Sequence, residues 1–123
     1  MNDELNRDDL IYEYNRKMED IQNMKDECSR NLRDLEYSAE DFERTTIEVD
    51  RILEEIRLSN IDDKEFIRDL DMAINEIENA KYESKFNFNS KYEELLTQEQ
   101  EYTYMEEECM NEYKSMINDE EYI

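Results

Sequence analysis

The chain contains no glycine, proline, tryptophan or histidine. Without glycine and proline, tight turns, bulges and strand ends lose the residues that usually make them, which leaves long helices with short connections. Without histidine, the common zinc sets and the Glu-x-x-His sites of di-iron helical bundles cannot form. The two cysteines, Cys28 and Cys109, do not form a C-x-x-C pair and read as free thiols acting as small apolar core residues. There is no glycine-rich phosphate loop, and no apolar run of the roughly 18 residues that a membrane-spanning helix requires. These absences predict a protein that is not an enzyme and needs no cofactor or metal. Basic residues are scarce too: 15 Lys and Arg face 37 Asp and Glu, a net charge of −22. That balance repels nucleic acid and anionic membrane surfaces. The opening segment MNDELNRDDL is polar and acidic, unlike a cleavable leader, so a cytoplasmic protein is expected.

What is present is a seven-residue pulse. In the first half, steps of three and four run through Ile11, Tyr14, Met18, Ile21, Lys25, Cys28, Leu32, Leu35, Ala39, Phe42, Thr46, Val49, Leu53 and Ile56. Strands have a period of two and cannot produce this pattern; a long helix packed along a partner helix does. The second half repeats it through Ile67, Leu70, Ile74, Ile77, Lys81, Ser84, Phe88, Lys91, Leu95, Gln98, Tyr102, Met105, Cys109, Glu112, Met116 and Ile123. This seam turns polar from Ser84 onward, and Phe66, Ala73 and Ala80 widen it near the middle of the chain. The pattern predicts tighter packing near the connection than at the far ends.

Between the two pulses stands LSNIDDKEFI, residues 58 to 67. Ser59 and Asn60 supply a polar turn, Asp62 or Asp63 a helix cap, and Glu65 stands three residues after Asp62 as in a capping box. The expected fold is therefore all-α: a long, coiled-coil-like antiparallel two-helix hairpin, one domain over residues 1–123. Its helices are placed at about residues 5–58 and 63–118, with a turn at about 59–62. Folding the chain about that turn sets Tyr14 opposite Cys109, Lys25 opposite Gln98, Cys28 opposite Leu95 and Phe42 opposite Ala80. The residues 92 to 113 hold eight glutamates and no base, yet lack the alternating Asp/Asn and Gly of a calcium loop; they read as a solvated acidic face.

Outside the second seam lie Tyr82, Phe86, Leu96 and Tyr104, with Tyr12, Tyr37, Ile47 and Leu58 as similar strays on the first helix. An isolated two-helix hairpin has a thin core. These residues are thus candidate partner contacts that would complete a helical bundle.

The segments LRDLEYSAEDFERT, RILEEIRLSN, KEFIRDLDMAINEIENAKYESKF and KYEELLTQEQEYTYMEEE resemble the small helical-hairpin proteins associated with LXG toxins of Gram-positive type VII secretion, distant relatives of the WXG-type hairpins. The likeness is one of pattern across nearly the whole chain, and the WXG tripeptide is absent. It implies a targeting chaperone that binds the helical LXG region of a cognate toxin, alone or with a second small helical protein, and is exported with it or stays behind. An export signal of the form Y-x-x-x-D/E fits Tyr102–Glu106, Tyr104–Glu108 or Tyr37–Asp41. Two alternatives stand beside this reading: an acidic nucleic-acid mimic, and a prefoldin-like or purely structural coiled coil.

Overall fold

The computed structural model describes the backbone of residues 2–121 and the side chains of residues 7–118, so Ile123 lies outside the described residues. Among the described residues, two helices, α1 (Asn2–Ser59) and α2 (Lys64–Glu121), account for all but the short connection between them, and no strand occurs. The fold is the all-α helical hairpin that the heptads predict. Its contacts cluster into two compact units: unit 1 comprises Met1–Leu32 with Glu94–Ile123, and unit 2 comprises Arg33–Glu93.

The connection works without a left-handed residue; no described residue has a positive φ. Instead, side chains satisfy the helix ends. Asn60 Nδ2 donates to the Ile56 carbonyl at 2.9 Å, and Ser59 Oγ to the Glu55 carbonyl at 2.9 Å. The Ile56 carbonyl is one of those that the end of a helix leaves orphaned. Asp63 is the N-cap of α2: its Oδ1 accepts from the Phe66 amide at 3.1 Å, while the Ile67 amide donates to its carbonyl at 2.9 Å. With Asp63 as the cap, the capping-box spacing of Asp62 and Glu65 falls one residue out of place. The turn accordingly occupies residues 60 to 63, with Ser59 still helical.

In unit 2, α1 and α2 run antiparallel. Phe42 packs on Phe88 with ring centroids 5.8 Å apart, Asp50 accepts from Lys81, and Arg57 pairs with Asp71. Unit 1 is also an antiparallel pair. Tyr14 stacks on Tyr113 at 4.1 Å, Lys17 meets Glu112 at 3.9 Å, and Lys25 meets Glu106 at 3.7 Å.

These side-chain pairs lie one to two turns further along α2 than the sequence register sets them. Tyr14 meets Tyr113 rather than Cys109, Lys25 meets Glu106 rather than Gln98, and Phe42 meets Phe88, although Phe42 and Ala80 still line one groove. Cβ atoms lean toward the N-terminus of their own helix, so in an antiparallel pair the two sets of tips are offset in opposite directions. Cys28 keeps the partner that the sequence register sets for it, its thiol donating to the Leu95 carbonyl at 3.2 Å.

The buried residues also fall elsewhere than expected. Ile21, Cys28, Leu32, Leu95 and Cys109 are the buried set, and all five belong to unit 1. There Lys25, Gln98 and Glu106 are half-buried as well. The extra apolar residues near the connection, Phe66, Ala73 and Ala80, stay exposed and add no depth to unit 2.

Candidate interaction surface

Along α1 the buried and half-buried positions follow the heptads from Ile11 to Leu53, including Leu35, Phe42 and Val49. They then pass to Arg57, leaving Ile56 36% exposed. Along α2 they run through Ile67, Leu70, Ile74, Ile77, Lys81, Ser84 and Phe88 to Leu95, Gln98 and Tyr102, with Lys91 exposed. Beyond Tyr102, Cys109 keeps its heptad place, but the positions around it move one on, to Glu106, Tyr113 and Ile117, so that Met105, Glu112 and Met116 are exposed. A helix of 3.6 residues per turn drifts about 20° against each heptad, and the corrections at Ile56, Met105 and Met116 are that drift.

Lys25 and Lys81, two of the lysines that interrupt the heptads, are answered by acids. Lys25 has Glu106, and the Lys81 ammonium, with its side chain only 13% exposed, donates to Asp50 and, at 3.0 Å, to Glu78. The hydrogen bond to Asp50, then that to Glu78, holds Lys81 above its ordinary pKa of 10.5. Both cysteines are free and buried; burial, then the charge of Glu99, pushes the Cys28 thiol above its ordinary 9.0.

Tyr82 and Phe86 are 76% and 64% exposed, one turn apart on the face of α2 that points away from the unit 2 seam. Leu96 and Tyr104 belong to unit 1, where they are 37% and 65% exposed. The four candidates thus divide between the two units. Tyr102 and Glu106 sit half-buried along the unit 1 seam, with Glu106 held by Lys25.

The grooves are open. One of about 370 Å³ in unit 1 is lined by Leu10, Tyr14, Cys109, Tyr113 and Met116 among others. Another, of about 230 Å³ in unit 2, is lined by Phe42, Thr45, Val49, Ile77 and Ala80 with Thr46, Lys81 and Ser84. Sequence reasoning noticed the row Phe66, Ala73, Ala80 but missed its counterpart on α1. Thr45 and Ile52, also seven apart, carry the same signal. Among the described residues, no cluster of three or more acids and cysteines is placed to hold a metal ion, and no helix is long and apolar enough to cross a membrane. No family model, curated protein or solved structure matches the chain.

Proposed function

We propose that this protein is a non-enzymatic helical adaptor that binds the helical LXG region of a type VII secreted toxin and promotes its delivery to the secretion machinery. One observation carries the binding half of this reading. Unit 2 leaves its apolar residues incompletely covered: those on its seam are at most half-buried, while Ile52, Phe66, Tyr82 and Phe86 are 38–76% exposed. A helical pair with so thin a core gains most from further helices packed against it. The toxin as partner comes from the resemblance of the heptad-bearing segments to the LXG-associated hairpins.

The test is co-purification of the chain with the LXG region of a toxin encoded beside it, with circular dichroism of each free variant. Replacing Tyr82 and Phe86 together by Ser should leave helicity intact and weaken the complex, since aromatic anchors commonly dominate such interfaces. Replacing Leu32 and Leu35 by Ser should instead melt the helical pairing, because Leu32 is buried and Leu35 half-buried on the seam. Failure of the wild-type chain to bind any such region would remove the proposal.

The charge of −22 favours one rival, a mimic of nucleic acid that occupies basic grooves. Such a complex would weaken steeply with salt and ignore the apolar substitutions.

A further inference from the structure

The two long sides of the unit 2 helix pair differ in kind. On one side stand Asp50 and Arg57 of α1, seven apart, with Asp71 and Glu78 of α2, also seven apart. They are latched across the pair by Arg57 to Asp71 and by Lys81 to Asp50, while Glu78 pairs with Lys81 within α2. The other side is built differently. There Thr45 and Ala80 line one groove together with Val49 and Ile77. Seven-residue steps from those two positions give Ile52 on α1 and Ala73 and Phe66 on α2. Ile56, displaced from the seam, is beside them. All of these are exposed, Ile52, Ile56 and Phe66 at 44%, 36% and 38%. The result is an apolar trough whose α2 edge is built of two alanines, low enough for another helix to approach closely.

The rims of the trough carry charge unequally. On the α1 rim, Asp41 and Glu48 are paired within their own helix, to Arg44 at 2.5 Å and Arg51 at 3.5 Å. On the α2 rim, Asp69, Glu76 and Glu83 repeat every seven residues, all exposed and none in an ion pair. A row of unanswered carboxylates beside an apolar trough is the complement of an amphipathic helix with lysine or arginine along one flank.

We infer that the trough of unit 2 seats one amphipathic helix of a partner protein, its apolar stripe on Thr45, Ile52, Phe66, Ala73 and Ala80 and its basic flank along Asp69, Glu76 and Glu83. A second copy of this chain fits the surface poorly, because each copy brings a net charge of −22 to the contact. The inference rests on the adaptor reading and names the seat of its partner helix, a different surface from the Tyr82 and Phe86 face.

The experiment titrates the full chain against two synthetic helical peptides with the same leucine stripe, one with lysine along one flank and one with glutamate there, by fluorescence anisotropy. The lysine peptide should bind at least tenfold tighter. Ala73→Gln with Ala80→Gln adds bulk at exposed sites without charge. It should cut binding at least tenfold while circular dichroism stays unchanged. Asp69→Lys, Glu76→Lys and Glu83→Lys together should invert the preference between the peptides. Binding of the lysine peptide that survives the glutamine pair means surface electrostatics alone, and overturns the seat. So does binding of neither peptide. A self-association in sedimentation that the glutamine pair abolishes makes the occupant a second copy and overturns the assignment as well. The LXG region separates the two claims. If it binds the chain and still binds the glutamine pair, the trough falls and the adaptor reading stands. If it does not bind while the lysine peptide seats in the trough, the adaptor reading falls and the trough stands.

Discussion

Cys28 and Lys81 are the two residues whose chemistry the helix pairs alter most clearly. Cys28 is 2% exposed and its thiol donates to the Leu95 carbonyl, and the thiolate is the reactive form. In a Cys109→Ser variant, a thiol reagent at mildly alkaline pH should therefore label Cys28 at least tenfold more slowly than in denaturant; equal rates would place the sulfur at the surface. Both shifts also act on stability, and with the same sign. Each group binds its proton more tightly when folded, so its contribution is whole below the unfolded pKa and is lost as pH rises through the folded one. For Cys28 the loss begins above 9.0, and for Lys81 above 10.5. Melting temperature should thus hold level up to about pH 9 and then fall in two stages. Lys81→Met should remove the upper stage only. It should not lower the melting temperature near neutrality, since Asp50 and Glu78, 53% and 56% exposed, are left in water. A clear drop there would show that the ion pairs outweigh the apolar packing that methionine supplies.

At the scale of the element, the seam decides what each position is worth. Leu32→Ala removes a buried side chain and should cost about 2–5 kcal/mol in chemical denaturation, whereas Ile56→Ala, at an exposed position, should cost less than about 1 kcal/mol. Equal losses would return Ile56 to the seam. Asp63→Ala should cost about 1 kcal/mol through the lost cap, and Asp62→Ala much less. The helices, their antiparallel order and the seam from Ile11 to Leu53 were legible in the sequence, because two apolar positions in every seven leave a helix one way to bury them. The ends of the seams were not. At Ile56 and Met105 the heptad and the 3.6-residue turn disagree, and only coordinates show which one the chain follows. Nor did periodicity reveal the lean of side chains that carries Lys25 to Glu106. The trough escaped notice for another reason. Its α1 edge is Thr45 and Ile52, which lie off the heptads, and Ile56, which reads as a seam residue until Ala73 and Ala80 are seen across the groove.

For the whole molecule, charge sets the conditions under which the fold holds. Among the described residues, ion pairs link α1 to α2 within each unit, Lys17 to Glu112 and Lys25 to Glu106 in one, Asp50 to Lys81 and Arg57 to Asp71 in the other. Partly exposed pairs of this kind contribute little each. Against them stands a surplus of 22 negative charges on 123 residues, whose mutual repulsion opposes the compact state. Salt weakens both effects, but it relieves the larger one more. Raising sodium chloride from about 0.01 M to about 0.1 M shortens the screening length from about 30 Å to about 10 Å. The melting temperature of the free chain should therefore rise by several degrees. Calcium at matched ionic strength should raise it by the same amount; a distinctly larger rise would mean that the acidic residues 92 to 113 hold a cation. The same salt series should act in the opposite direction on the lysine-flanked peptide, whose attraction to Asp69, Glu76 and Glu83 is screened while its leucine stripe is not. Its dissociation constant should rise with salt and then level off at the apolar contribution of the trough. A dissociation constant that keeps climbing with no plateau would assign the whole contact to charge, and would move the chain toward the nucleic-acid mimic.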